Sequence, residues 1–315
     1  MIYSHIPVLL KEVVDLLDPK AGENLFDGTL GGGGHSRAIM AKTSPDGKLL
    51  GADMDIEAIR ASKMNLEEYS ERMTLKRVNF TEFSSIIKEE NFFPVDIFFL
   101  DLGISSKQLD DEVLGISFLK DSPLDMRLGG EELVGNKTAE KIVNESSEEK
   151  IFDIIRKYGE ERYAKNIARE IVKSRKLKRI KSTKELVDII SLSVPGKYKR
   201  GRIHFATRTF QALRIAVNDE LANLEKVLPE VLDNMSIGGR IGIISFHSLE
   251  DRIVKNFFNV ESRDCICAPA VPVCVCGHKK RLELITRRPV RASEEEVEIN
   301  PRSRSARLRV AKKIL

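Results

Sequence analysis

The chain has 315 residues, of which 42% are hydrophobic and 32% charged. It is long enough to bury a full core, in one large domain or two modest ones. No run of about 18 apolar residues occurs, so no transmembrane helix is expected. The first residues also lack the basic-then-apolar layout of a signal peptide. We therefore expect a cytoplasmic protein without a membrane partner.

The positive charge is concentrated in one stretch. The formal net charge of the whole chain is only +4, but residues 156–202 hold 16 Lys and Arg against 5 Asp and Glu, a local net charge of +11. A surface this basic usually binds a polyanion. The alternative is a solvated helical surface without such a partner.

Strand-like and helix-like segments alternate at the start of the chain. Apolar runs predict strands at residues 24–27, 48–52, 73–78 and 95–100, separated by helix-like segments. This alternation is typical of a parallel, doubly wound sheet, whose strands are buried on both faces.

A block of predicted helices, residues 138–214, interrupts the alternation. At the end of this block we predict one long helix from Thr207 to Leu232, kinked near Pro229. A strand at 240–246 and a closing strand pair at 281–286 and 306–311 are predicted to follow. The predicted fold class is α/β. It has a Rossmann-like core with a doubly wound, mostly parallel sheet over residues 1–110 and 213–315, and an inserted helical domain over residues 111–212.

A glycine-rich segment, Asp27–Ser36, joins the first predicted strand to the next helix and contains four consecutive glycines. Glycine has no Cβ, so a ligand can lie directly against the backbone. Asp53 ends the following strand, where an acidic side chain grips the ribose hydroxyls of a bound nucleoside. Together these features predict a nucleoside-containing cofactor.

The spacing within this segment distinguishes three cofactors. A nucleotide P-loop needs Lys and Ser or Thr after its glycines, but His35 follows them here. The dinucleotide fingerprint G-x-G-x-x-G fits in no register. Asp27, Gly31 and Gly33 do form the D-x-x-x-G-x-G arrangement of many S-adenosylmethionine (SAM) methyltransferases. We therefore predict SAM as the cofactor.

The residues after the fourth strand leave the methyl acceptor open. Many amino-methyltransferases that act on nucleobases carry a (D/N/S)-P-P-(Y/F/W) tetrapeptide there, whereas this chain has Asp101-Leu102-Gly103-Ile104. No cysteine lies near to add to pyrimidine C6, which argues against C5 methylation.

Nine segments spread from His5 to Ala306 carry a resemblance to a known family. They are His5–Leu10, Asp27–Ser36, Leu100–Ser106, Gln108–Asp111, Pro123–Arg127, Tyr158–Arg162, Ala206–Arg214, Ser245–Arg252 and Asn300–Ala306. Together they resemble the bacterial RsmH (MraW) family. The resemblance implies SAM-dependent methylation of the N4 amine of one cytidine in the decoding region of 16S ribosomal RNA. The implied partner is that RNA or the small ribosomal subunit, with no DNA; the oligomeric state does not follow.

The resemblance also implies a set of cofactor contacts: Gly33, Gly34, His35, Asp53, Phe80, Asp101 and Gln108. Catalysis needs an acceptor that orients the N4 amine and takes up its developing positive charge and proton. Asp101 is the best-placed carboxylate, although its role could be limited to the cofactor. His247, directly after a predicted strand, is the second candidate; the alternative for it is a helix cap.

The basic stretch and the tail supply cations for RNA phosphates. The predicted RNA-binding residues are Arg175, Lys176, Lys178, Arg179, Arg208, Arg302 and Arg304. A flipped base is easiest to take from single-stranded or loop RNA. The helical insertion is accordingly predicted to be the RNA-recognition domain.

All four cysteines, Cys265, Cys267, Cys274 and Cys276, lie within twelve residues. The chemistry of methyl transfer requires no metal. Two C-x-C pairs could hold Zn²⁺ tetrahedrally in an irregular loop, and four reduced thiols are the alternative.

Three other functions compete with RNA methylation. A SAM-dependent enzyme for a small molecule or a protein is disfavoured by the basic insertion and tail, and a SAM-dependent methyltransferase of another RNA is the remaining alternative of this kind. A dehydrogenase is disfavoured by the missing dinucleotide fingerprint. An RNA-binding assembly factor with a vestigial pocket is disfavoured by the complete set of cofactor-site residues.

Overall fold

A computed structural model describes residues 7–105, 108–109, 111, 113–268 and 273–315. His5, Ser106 and Asp110, which take part in the resemblance, lie outside these residues. The chain forms two compact units, Met1–Gly103 with Leu221–Leu315, and Ile104–Glu220. No helix of the described ranges is long and apolar enough to cross a membrane.

The first unit is built on one seven-stranded sheet. Its strands are β1 (Leu25–Asp27), β2 (Leu49–Asp53), β3 (Met73–Arg77), β4 (Ile97–Asp101), β5 (Arg240–Ser245), β6 (Leu282–Leu284) and β7 (Arg307–Lys313). Their order in space is β3-β2-β1-β4-β5-β7-β6. The first five run parallel to one another, and β7 runs antiparallel to both β5 and β6. The predicted α/β class, with a doubly wound and mostly parallel sheet, is confirmed.

The first unit also contains helices. They are α1 (Leu10–Leu17), α2 (Gly34–Lys42), α3 (Ile56–Asn65) and α4 (Phe83–Glu89), then α12 (Glu220–Asn234), α13 (Ser248–Glu261) and α14 (Glu294–Ile299). Successive strand residues point to opposite faces. Phe26 and Phe98 therefore pack with Phe83 in one buried cluster, while Leu25 and Phe99 belong to another. Burial on both faces explains why β1, β2 and β4 read as continuous apolar runs.

The second unit is helical in its described residues. Its helices are α5 (Gly130–Val134), α6 (Ala139–Glu145), α7 (Glu148–Gly159), α8 (Ala164–Arg175), α9 (Thr183–Ser193), α10 (Gly196–Lys199) and α11 (Thr207–Asn218). Side chains at helical spacing form one core, to which Ile155, Ile167 and Leu213 contribute. Ser182 and Glu185 make a capping box that begins α9.

One prediction about this region was wrong. The predicted helix from Thr207 to Leu232 is two helices, and the break is at Asp219 instead of Pro229. Asp219 adopts a left-handed conformation (φ 50°) that ends α11, and Asp tolerates this better than most residues. The observed unit boundaries are 103/104 and 220/221, against the predicted 110/111 and 212/213. The second boundary shifts because α11 packs its Leu213 and Val217 into the helical core.

A buried ion-pair cluster ties β7 to the helix that follows β5. Asp251, in α13, lies 2.6 Å from Arg309 Nε and 3.0 Å from Arg307 Nη1. Burial by itself raises the pKa of Asp251, but the two guanidiniums outweigh it and hold the pKa below its usual value. Arg307 and Arg309 are therefore structural cations here.

We predict that Asp251→Asn lowers the free energy of unfolding by about 3–5 kcal/mol at pH 7, because the buried Arg309 loses its charged partner. Denaturant titration measures this loss. A carboxyl group whose pKa is lowered in the folded state stabilises the protein at pH values above the ordinary carboxyl pKa. This stabilisation is lost as the pH falls through the folded-state pKa. The gap between wild type and variant should therefore persist at pH 5 and close at more acidic pH. Asp15→Asn, at the exposed pair with Lys11, is the control and should change stability less; an equal loss would contradict the assignment.

Candidate active site

Three aspartates end adjacent parallel strands at one edge of the sheet. Asp27 ends β1, Asp53 ends β2 and Asp101 ends β4. Asp27 pairs in register with Gly51 and Phe99, so β2 and β4 each extend two residues beyond β1. Ligands of open parallel sheets bind at this carboxyl edge, where the glycine-rich loop also begins.

The loop crosses the end of β1 and is tied to both neighbouring strands. Gly28 N donates to the Phe99 carbonyl and Leu30 N to the Ala52 carbonyl, both at 3.1 Å. The Asp101 amide donates to the Thr29 hydroxyl at 2.6 Å. The loop is consequently held between the ends of β2 and β4.

Asp27 organises the start of this loop. One carboxylate oxygen accepts from the Thr29 amide at 3.1 Å and the other from the Ser36 hydroxyl at 2.6 Å. Burial raises the pKa of Asp27 to about 6, although the Ser36 and Thr29 hydrogen bonds oppose the shift. Both oxygens are engaged within the protein, which points to a structural role for this residue.

The predicted contact residues Gly33 and Gly34 begin α2. Gly33 caps the helix with a φ of 77°, which favours glycine. A Cβ on Gly34 would lie 2.4 Å from Pro7 Cγ. Protein packing therefore already requires glycine at position 34. Contact of the two glycines with the cofactor stays a prediction.

Asp53 is positioned to receive hydroxyl donors. Its oxygens accept from Gly31 N at 2.9 Å and from Asp55 N at 2.8 Å, and each oxygen of a carboxylate has a second lone pair for another donor. Burial raises the pKa of Asp53 to about 6 against these backbone hydrogen bonds. The side chain fits the predicted ribose contact.

Asp101 has a buried oxygen without a partner. Among the described residues nothing hydrogen-bonds its Oδ1, while Oδ2 lies 3.7 Å from His35 Nδ1. Burial raises the pKa of Asp101 well above its usual value, and the charges of Asp27 and Glu250 raise it further. An unsatisfied buried acceptor is costly unless a ligand donates to it.

His35 faces Asp101 because its other ring nitrogen is engaged. Its Nε2–H donates to the Val8 carbonyl at 2.8 Å, and its ring packs against Phe99 with centroids 4.9 Å apart. In the neutral form this arrangement directs the Nδ1 lone pair towards the Asp101 carboxyl group.

His247 has the geometry of a helix cap. Its Nδ1 accepts from Glu250 N at 3.4 Å, and Glu250 Oε2 accepts from the amides of Phe246 and His247 at 2.9 and 3.2 Å. This reciprocal pattern is a capping box at the start of α13. The buried Nε2 lies 3.2 Å from Glu250 Oε1 in an orientation that makes no hydrogen bond. A catalytic role for His247 stays a prediction.

Phe80 and Gln108 are the last two predicted cofactor residues. Phe80 is half-buried and lies beside the loop, since a Cβ on Gly28 would lie 2.8 Å from Phe80 Cβ. Gln108, in the second unit, is buried, and its side-chain oxygen accepts from Ser105 N at 3.0 Å.

The predicted RNA-binding cations differ in how available they are. Arg179 lies 2.8 Å from both Glu140 and Glu145, and Lys178 lies 2.5 Å from Glu185. Arg175 and Arg208 donate to the Val143 and Glu160 carbonyls, and Lys176, Arg302 and Arg304 are exposed. The basic stretch is thus partly neutralised by acidic residues of the same unit.

An aromatic cluster in the second unit was missed at the sequence level. The exposed His204 ring stacks on Phe118 and Phe205, with centroids 4.6 and 4.2 Å apart. The segment Lys197–Phe205 interleaves basic and aromatic residues, which is the pattern of a base-stacking surface. That interleaving was the available signal.

Comparison with known proteins decides the family. The chain matches the sequence profile described as the MraW methylase family over residues 2–314. The chain belongs to the MraW methylase family. Two relatives of this methylase, from Heliobacterium mobile and Heliobacterium modesticaldum, are 49% and 47% identical over the whole of both chains; each is named ribosomal RNA small subunit methyltransferase H. A solved rRNA methylase from Streptococcus thermophilus aligns with 98% of each chain at 9% identity and a TM-score of 0.45, which adds nothing to the fold already described.

SAM, the cofactor of the MraW methylase family, fits the residues at this edge. Asp53 offers acceptors for ribose hydroxyls, and three carboxylates lie where a ligand with a sulfonium and an ammonium would bind. Opposite charge near a buried carboxylate favours its ionised form. The site of this methylase is therefore complementary to a cationic nucleoside.

We predict that Asp53→Asn weakens SAM binding about 10- to 100-fold, the usual effect of losing a hydrogen bond to a charged group. Isothermal titration measures it. Because the pKa of Asp53 is about 6, wild-type affinity should fall about tenfold from pH 7.5 to pH 5, as the carboxylate becomes protonated. Asp55→Asn is the matched control: Asp55 caps α3, and Asn caps as well as Asp. Equal affinities for wild type and Asp53→Asn would refute the ribose contact.

Proposed function

We propose that this methylase transfers a methyl group from SAM to the N4 amine of a cytidine in the decoding region of 16S ribosomal RNA. The family and the names of the full-length relatives support a small-subunit rRNA substrate. Such a substrate supports activity in the cytoplasm. The single observation that supports an amine acceptor is Asp101, which has a buried oxygen without a hydrogen-bond partner.

The chemistry of the acceptor defines what Asp101 would do. The cytosine N4 lone pair is delocalised into the ring, so the amine is a poor nucleophile. A hydrogen bond from the amine to Asp101 Oδ1 would orient that lone pair and stabilise the positive charge that develops on nitrogen. The sulfonium of bound SAM supplies an activated methyl group for in-line displacement, which depends largely on alignment.

Asp101 is also suited to take the proton that the amine must lose. Burial and the neighbouring Asp27 and Glu250 raise the pKa of Asp101, and a carboxylate of higher pKa is a stronger base once ionised. Activity needs the ionised form and should rise with pH through the pKa of Asp101. His35 Nδ1 lies 3.7 Å from Asp101 Oδ2, beside this carboxylate.

We predict that Asp101→Asn lowers kcat by about 10²–10⁴-fold, the range of general base catalysis, and changes the Kd for SAM only a few-fold. Labelled SAM with small-subunit RNA or subunits gives the rate, and titration gives the Kd. Asp96→Asn is the matched control, because Asp96 precedes β4 at the opposite end of the strand and accepts from Asn24 N. Full activity of Asp101→Asn would refute its catalytic role.

The same assay tests the acceptor. Digestion of the labelled RNA should yield N4-methylcytidine from one position. Label in another nucleoside, or in protein or a small molecule alone, would replace the proposal by a methyltransferase of another substrate.

The second unit is proposed to bind the RNA. Its basic stretch carries a local net charge of +11, and the exposed His204 with its stacked neighbours offers a platform for an unstacked base. Lys176 is exposed, whereas Lys178 and Arg179 would have to exchange carboxylate partners for phosphates. We therefore expect Lys176 to contribute more per charge than Arg179.

We predict that alanine at Arg175, Lys176, Lys178 and Arg179 weakens RNA binding and reduces its salt dependence without changing SAM affinity. Filter binding at several salt concentrations measures the RNA affinity and its salt dependence. Alanine at Lys42, Lys48, Lys63 and Lys88, exposed lysines of the first unit, removes the same charge and should have a smaller effect. Unchanged RNA affinity in the variant with alanine at Arg175, Lys176, Lys178 and Arg179 would count against this surface as the RNA-binding surface.

A further inference from the structure

The four cysteines come together outside the site described above. Their Sγ atoms all lie within 4.8 Å of one another. Cys274 Sγ is 3.5 Å from Cys276 Sγ, which is 3.8 Å from Cys265 Sγ. All four are free thiols, and these separations are well beyond the ~2.05 Å of a disulfide.

These distances match a tetrahedral metal site. Sulfurs at a Zn–S distance of ~2.3 Å from a common centre are about 3.8 Å apart. Four sulfurs in a tetrahedron select zinc or an iron–sulfur cluster. Backbone amides already point at two of them, since Cys267 N donates to Cys265 Sγ at 3.4 Å and Ile266 N to Cys276 Sγ at 3.5 Å. Such bonds stabilise thiolates.

The segment that carries the cysteines has little else to hold it. It joins Glu261, the end of α13, to Leu282, the start of β6, and its described residues contain no helix or strand. Three apolar side chains in its described residues, Ile266, Val273 and Val275, are exposed by 47%, 72% and 80%, so these three form no core. A segment of this length without a core usually needs a staple.

The base of the segment is closed by protein contacts. Arg281 N donates to the Glu261 carbonyl at 2.8 Å, and its guanidinium pairs with Glu261 at 2.7 Å and Asp233 at 2.8 Å. The His278 ring bonds the Val260 carbonyl at 3.1 Å, which commits that nitrogen to the backbone. The cysteines are therefore the group that would fasten the outer part.

We propose that Cys265, Cys267, Cys274 and Cys276 bind one structural Zn²⁺ that fastens the segment between α13 and β6. The site is closed by four sulfurs and leaves no position for a substrate, so its role is structural. Arg263, Lys279 and Lys280 flank the cysteines in sequence and offset the negative charge that four thiolates give a zinc site.

Elemental analysis of protein purified without chelator tests the proposal. We expect about one zinc per chain, lost in Cys265→Ser/Cys267→Ser and in Cys274→Ser/Cys276→Ser. His278→Ala is the matched control and should retain its zinc. Loss of zinc from His278→Ala would overturn the assignment of four sulfur ligands. Iron in place of zinc would overturn the assignment of the metal as zinc.

Two measurements on the unaltered chain keep the test independent of how the variants fold. The protein contains no other cysteine, so Ellman's reagent should react slowly with the purified protein and count four thiols after a strong chelator. Trypsin should cleave after Arg263, Lys279 or Lys280 faster once the chelator is added. Two results would refute the site if the protein also holds less than a tenth of an equivalent of zinc. In the first, all four thiols react with Ellman's reagent at once. In the second, the thiols react only after a reductant is added.

Discussion

The rest of the site depends on the hydrogen bonds that the Asp27 carboxylate accepts. A buried carboxylate at the end of β1 accepts from the Thr29 amide and the Ser36 hydroxyl, and so it sets the course of the glycine-rich loop. The loop then bonds β4 through Gly28 and β2 through Leu30. Asp53 and Asp101 therefore owe their separation to the register of three strands and one loop, all of it backbone geometry. Side chains on rigid elements of this kind keep their positions better than side chains on free loops.

The sheet was predictable from the sequence because β1, β2 and β4 are buried on both faces, and each of them is therefore an apolar run in the sequence. The glycine-rich loop and the strand-end aspartates followed from the same reading. The break at Asp219 was not predictable, because one residue with positive φ looks like any other polar residue inside a helical pattern. Pro229 looked like the stronger signal, yet α12 accommodates it. The second domain boundary depends on which hydrophobic core α11 packs into. Tertiary packing decides this, and the local sequence pattern does not reveal it.

At the site, residue types were readable but partners were not. Arg307 and Arg309 belong to a basic tail in sequence, whereas in the fold they neutralise Asp251. Lys178 and Arg179 likewise meet Glu185 and Glu140, residues that come close only after folding. His247 shows the same limit: His-x-x-Glu spacing is compatible with a capping box, but only the hydrogen bonds with Glu250 reveal one. A count of charges therefore overstates how much of a surface is free to bind phosphate.

The acidic edge connects stability with binding. Burial raises the pKa values of Asp27 and Asp53 to about 6 and raises the pKa of Asp101 well above its usual value, so at pH 7 the ionised forms are a cost to the folded state. A folded-state pKa above the unfolded one favours folding at low pH and disfavours it as pH rises through the folded value. A cation at this edge reverses that balance, because opposite charge stabilises the ionised carboxylates. The proton acceptor of the proposed reaction and the binding of a sulfonium cofactor thus both depend on buried carboxylates at the same edge of the sheet.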